Sequence, residues 1–264
     1  MDRLLVLRLE SQGIGAEAVF NGVPLARTSA AHPVALLPVH EYTLAGANEL
    51  TLVVGPGAPG VEAEAEPHLS DGHAWASLRL LLPRDGGAAS PASARTLAQI
   101  DWAPPEGQVD ELPLPLAQRV ELPISFPRWR WLDAPVVEEP AALKKELARW
   151  LLDIALGLAR GNPEPLVQAS RLKLEDLATA YQHNLADDAG RLRLHIQQLH
   201  AAAPLKPVLP SAPKLLLRPV AEGRLLECLA ADGTPMLQSP VAGGGRAFWP
   251  LRVAVVDGRF YVLR

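Results

Sequence analysis

Near position 136 the spacing of apolar residues changes, and this change limits what the chain can fold into more than any other feature. Before it, apolar residues recur at every second position. Leu5, Leu7 and Leu9 alternate with Val6, Arg8 and Glu10, and Leu50, Leu52 and Val54 alternate with Glu49, Thr51 and Val53. Leu78, Leu80 and Leu82 follow, and Leu116, Gln118, Val120, Leu122 and Ile124 line one face opposite Ala117, Arg119 and Glu121. Successive Cβ atoms of a strand point to opposite sides, so this alternation is what a sheet with one buried face requires. Turn signals at Asn21-Gly22, Gly46 to Asn48, Asp71-Gly72 and Asp85-Gly86-Gly87 separate the runs. Several short strands at that spacing predict an all-β sandwich over residues 1–126.

From Glu138 the period becomes three and four. Leu143, Leu147, Trp150, Leu151, Ile154 and Leu158 form one stripe of an amphipathic helix. Glu138 and Glu139 suit its positive end, Pro140 its first turn and Gly161 its stop. A second helix carries Leu174, Leu177, Ala178 and Tyr181. A third begins after Asp187 or Asp188 and carries Leu192, Ile196 and Leu199. Strands then return at 214–219, 224–230, 246–256 and 259–263, with hairpin signals at Asp232-Gly233 and Asp257-Gly258. The expectation for 138–264 is an α+β domain, three helices packed on an antiparallel sheet. Residues 127–137, including PRWRWLDAP, read as a Pro/Trp-rich linker. Trp129 and Trp131 are expected to pack between the two parts and are the candidate partner-binding residues, the rival reading being a ligand-stacking surface.

At 264 residues with a net charge of −4, the chain has the length of two domains and no general attraction for nucleic acid. Its densest basic group, Arg191, Arg193 and His195, lies on the third predicted helix and reads as a solvated face. The opening MDRLLVLRLESQG is broken by Arg8 and Glu10, unlike a secretory leader, and no run reaches the roughly 20 apolar residues of a membrane span. The single cysteine, Cys228, excludes an internal disulfide. A cytoplasmic protein is the expectation.

Few constellations point to chemistry. Glu62, Glu64, Glu66, His68, Asp71 and His73 crowd one stretch, yet their spacing matches neither an EF-hand loop nor a zinc signature, and an exposed acidic loop accounts for them. His195 and His200 lie five residues apart, on different faces of a helix, and cannot chelate together. His183 stands near a helix end, and Glu175-Asp176 reads as a solvent-facing pair. There is no nucleophile elbow and no phosphate-binding glycine fingerprint; Gly243-Gly244-Gly245 joins strands. Cys228 falls in a strand and, facing a core, is an inert small hydrophobe. No metal, cofactor or catalytic residue is predicted.

The stretch NGVPLARTSAAHPVALLPVHEYTLAGANELTLVV, residues 21–54, resembles a piece of the galactose-binding-like jelly rolls, with its G-x-N-x-L-x-V-x-V run at Gly46, Asn48, Leu50, Leu52 and Val54. The resemblance implies a sandwich. Residues 138–264 resemble NTF2-like or SnoaL-like cones in helix order and in the closing VAVVDGRFYVLR. That likeness implies a cone whose pocket is lined by Trp150, Tyr181, Trp249, Phe260 and Tyr261, although the family's Asp–His pair has no counterpart here. The expected function is non-enzymatic binding of another protein, as in a bacterial immunity factor or secretion-system component. The alternatives are a small-molecule binder or enzyme using the cone, and carbohydrate binding by the sandwich.

Overall fold

The computed structural model describes residues 4–57, 64–84, 92–124 and 126–264. The turn signal at Asp85-Gly86-Gly87 and the acidic Glu62 lie outside them. The chain divides between Arg128 and Trp129 into two compact units. An all-β part comes first and a helix-containing part second; among the described residues every α-helix begins after Glu139.

The first unit holds β1 (Val6–Gln12), β2 (Ala16–Phe20), β3 (Val23–Thr28), β4 (Val34–Pro38), β5 (Gly46–Val54), β6 (Glu66–Leu69), β7 (Trp75–Pro83), β8 (Ala94–Trp102), β9 (Val109–Leu112) and β10 (Leu114–Leu122). Two four-stranded antiparallel sheets run β4-β1-β7-β8 and β10-β5-β2-β3, and β6 pairs with β9 as a separate ribbon. Alternation decides which side chains go inside. Leu7, Leu9, Leu78 and Leu80 from one sheet and Phe20, Leu50, Leu52 and Val54 from the other are fully buried. Asn21 and Gly22 both take positive φ, +50° and +74°, so the β2–β3 hairpin closes in two residues with the twist its strands need.

Asn48, within the G-x-N run, ties one end of this unit together. Its carboxamide oxygen accepts from Leu44 N at 2.8 Å and Asn21 Nδ2 at 2.9 Å, and its nitrogen donates to Leu44 O and Gly46 O, both at 2.9 Å. Asn21 in turn donates to Tyr42 O at 2.7 Å and accepts from Glu49 N at 2.8 Å. Every hydrogen-bonding position of the Asn48 carboxamide is filled, as burial of a polar group requires.

The second unit holds α1 (Pro140–Ala159), α2 (Glu164–Ala169), α3 (Arg171–Tyr181), α4 (Leu185–Ala202), and strands β11 (Leu216–Val220), β12 (Leu225–Leu229), β13 (Leu237–Pro240), β14 (Arg246–Trp249), β15 (Arg252–Val256) and β16 (Arg259–Val262). There are four helices where the periodicity predicts three, because the short α2 precedes α3, separated by Ser170. Helix α4 begins at Leu185, earlier than expected, since Asn184 Oδ1 accepts from Ala186 N at 2.8 Å and leaves Asp187 and Asp188 in the first turn. The strand expected at 246–256 is two strands, interrupted at Pro250, which has no N–H to continue a ladder. Sheet β11-β12-β15-β16 turns Leu226, Cys228, Val253 and Val262 into one core with Leu147, Leu151, Ile154 and Leu158 of α1. On its other face Glu227 accepts from Arg218 Nε at 2.8 Å and pairs with Arg252 Nη2 at 2.9 Å. Residues 130–133, within the expected linker, form a short 3-10 turn, and Ala134 O and Val137 N bond to Arg224 and Gly223 at the β11–β12 turn.

Asp176 departs from the solvent-facing position expected of the Glu175-Asp176 pair: it is 6 % exposed. Its two oxygens take Arg264 Nη1 at 2.9 Å and Arg130 Nη1 at 2.7 Å, while Arg130 Nη2 reaches Glu175 at 2.8 Å. Arg264, only 1 % exposed, also lies over the Trp129 ring at 5.6 Å. A buried guanidinium needs a carboxylate beside it, so the acid belongs to the interior.

Candidate functional site

A groove of about 690 Å³ opens at one end of the first unit, where β1 turns into β2. The turn is Gly13-Ile14-Gly15. Gly13 has φ +73°, and a Cβ there would lie 3.2 Å from the Ala74 backbone, so glycine lets the turn press against the start of β7. Trp75 is thereby set beside Gln12, to which its indole N–H donates at 3.2 Å. The facing wall is residues 29–34. It is held by reciprocal Ser29–His32 backbone bonds of 3.0 Å and by Ser11 N donating to Pro33 O at 3.0 Å. Beneath, Ser11 Oγ donates to Thr28 Oγ1 at 2.7 Å.

Among the described residues, Glu10 is the one charged side chain in the lining. Arg8 Nη2 lies 2.6 Å from one of its oxygens and Arg79 Nη1 3.3 Å from the other. The hydrogen bond from Arg8 holds the Glu10 carboxyl below its ordinary value, against the partial burial that raises it. Because the folded value is the lower one, the interaction stabilises the fold above the unfolded value of about 4.3 and is lost as pH falls through the folded value. Acid titration of thermal unfolding should lower the melting temperature of the first unit below about pH 4, with a shallower fall in Glu10→Gln.

Strand β4 borders the groove and, among the described residues, is the outermost strand of its sheet. Ser11 N bonds to Pro33 O and Val39 N to Leu5 O. The antiparallel alternation between those two bonds directs the N–H and C=O of Ala35 and Leu37 at β1, and those of Val34 and Leu36 away from it. Val34 and Leu36 are also 46 % and 48 % exposed. The register carries two rows across this face: Val34, Glu10, Ser77 and Asp101, then Leu36, Arg8, Arg79 and Gln99. One row bears carboxylates and the other guanidinium groups.

The residues singled out from the sequence sit elsewhere. Trp129 and Trp131 are 1 % and 2 % exposed, which gives them a packing role. Trp150 and Phe260 meet, ring centroids 5.7 Å apart, and pack against the core of the second unit that Trp249 joins. Tyr261 follows Phe260 on β16 and so points to the opposite face. Tyr181 ends α3, 5.9 Å from the His183 ring, whose Nδ1 is 3.4 Å from Asp188. His68 stands opposite Asp110 across the β6–β9 ribbon, and Asp71 accepts from His73 N at 2.8 Å. Among the described residues no three His, Cys, Asp or Glu side chains come together as a metal site. Burial, with Glu227 beside it, pushes the Cys228 thiol far above its ordinary value and so disfavours the reactive thiolate. No helix among the described residues is long and apolar enough to cross a membrane.

The residues at the groove and edge were not singled out from the sequence. A signal was present: PVALLP, residues 33–38, is apolar on both faces and bounded by prolines, the pattern of an edge strand.

Comparison with known proteins finds no matching family model, no matching curated relative and no matching solved structure.

Proposed function

We propose that this chain is a non-enzymatic binding protein that recognises another protein through its β-sandwich. The observation carrying this reading is the pair Val34 and Leu36, nearly half-exposed on an outermost strand that borders a groove. Exposed aliphatic side chains clustered beside a concavity favour a partner that covers them. A bacterial accessory role, as an immunity factor or a secretion-system component, is the narrower form of the proposal. A cytoplasmic setting accords with a lone cysteine kept as a buried thiol. The galactose-binding-like likeness of residues 21–54 and the NTF2-like likeness of residues 138–264 enter the proposal as folds only.

The test uses the whole tagged protein as bait in lysate of the source organism. One stoichiometric protein is expected with the wild-type chain and none with the double variant Val34→Asp, Leu36→Asp. Capture undiminished by the double variant would move recognition to another surface, and no enrichment by the wild type would remove the reading.

Trp75 favours a second reading. An indole with the Gln12 carboxamide and the Glu10 carboxylate around one groove offers a stacking face and planar hydrogen-bonding groups, which suits a sugar ring. A glycan array probed with wild type and Trp75→Ala separates the two: retention that depends on Trp75 supports the sugar.

A further inference from the structure

The geometry points to β4 as the acceptor of an added strand: we propose that the partner supplies an extended segment that pairs antiparallel with β4, carrying an acidic residue opposite Leu36 and a basic residue opposite Val34. This rests on the protein-binding reading above and names how the partner is held.

The first support is the backbone. Val34 and Leu36 direct their N–H groups away from β1, and none of the groups described accepts from either. Both C=O groups point the same way, so an incoming strand finds two donors and two acceptors in register. Pro38 lacks a donor and ends the ladder on one side, which keeps the contact short and its register defined. The second support is the side chains. An added strand places alternate residues beside Val34 and Leu36, covering aliphatic surface now in water.

The third support is charge, and it chooses the partner. Strands lie about 4.8 Å apart, so a residue opposite Val34 is two strand spacings from Glu10 in the same row. A lysine or arginine spans that distance by laying its stem over Val34. A residue opposite Leu36 stands in the row of Arg8 and Arg79, where a glutamate is favoured and a third cation repelled. The antiparallel partner therefore reads, from its N-terminus, acidic-x-basic. Both rows are partly buried, with Arg8 and Glu10 side chains 19 % and 16 % exposed, so the charges are not fully screened.

The test is a capped synthetic peptide, Thr-Val-Glu-Val-Arg-Val-Thr, added to the full chain and followed by NMR amide exchange and fluorescence anisotropy. Binding should slow exchange at Val34 and Leu36 above all other amides. The twin peptide with Glu and Arg exchanged should bind roughly fivefold more weakly, the scale of one cross-strand charge pair. Leu36→Pro keeps the apolar surface but removes one outward donor, and it should abolish binding; a peptide N-methylated at its glutamate removes the reciprocal bond, the one donated to Leu36 C=O, without altering the protein. Unchanged exchange at Val34 and Leu36, or full binding of the N-methylated peptide, would overturn strand addition. Equal affinity for the twin would overturn the charge register. If Leu36→Pro still captures the cellular partner that Val34→Asp, Leu36→Asp loses, protein binding stands and strand pairing falls.

Discussion

Replacing Asp176 by alanine is expected to destabilise the second unit by about 3–5 kcal/mol, the range seen when one member of a buried ion pair is removed. The acid sits between two cations drawn from distant parts of the chain, Arg130 and Arg264, which lie 46 and 88 residues away. Arg264 is almost without solvent access, so loss of the carboxylate takes an anionic partner from a charge that water cannot reach. Glu175 still reaches Arg130, so the damage should centre on Arg264. Urea unfolding followed by tryptophan fluorescence measures it, since Trp129 lies under the Arg264 guanidinium. A loss of unfolding free energy smaller than about 1 kcal/mol would show that the triad is no more than a surface pair. The double variant Asp176→Leu, Arg264→Met should recover much of the loss, because it removes both charges together.

Asn48→Ala carries the second large effect, about 3 kcal/mol, from backbone groups at Leu44 and Gly46 left without partners inside the protein. Asn48→Asp is the sharper variant. It keeps the acceptor but sets a carboxylate oxygen against the carbonyls of Leu44 and Gly46 in place of an amide donor. Asn48→Asp should therefore be no more stable than Asn48→Ala near neutral pH and should gain on acidification, when the protonated acid can donate again. Thermal melts of both variants from pH 7 to pH 4 decide this; a pH-independent gap between them would contradict the hydrogen-bond account.

These two residues also mark how far the sequence could be read. The alternation around Leu50, Leu52 and Val54 displays a strand of the all-β part plainly, because a strand's inside and outside are set by parity alone. Asn48 occupies an inward position of the same alternation, and its role as a knot between the β2–β3 turn and the β4–β5 connection depends on Tyr42, Leu44 and Asn21 arriving at one point. Asp176 follows the same logic on a helix. Its partners come from beyond the window in which helical period operates, so a local pattern assigns it to solvent. The stripe Leu147, Leu151, Ile154 and Leu158 is legible for the opposite reason: its cause lies within the helix. The edge status of β4 required sheet order, which no periodicity contains, although the flanking Pro33 and Pro38 hint at it.

Cys228 is the chain's single cysteine and sits inside the sheet of the second unit. An alkylating reagent therefore meets one target, and only when β12 parts from its neighbours. Under mild conditions the labelling rate becomes a clock for transient opening of that sheet, readable by mass spectrometry on the unmodified protein. Run on Asp176→Ala, the same clock would tell whether loss of the buried acid loosens the sheet locally or only lowers the barrier to complete unfolding.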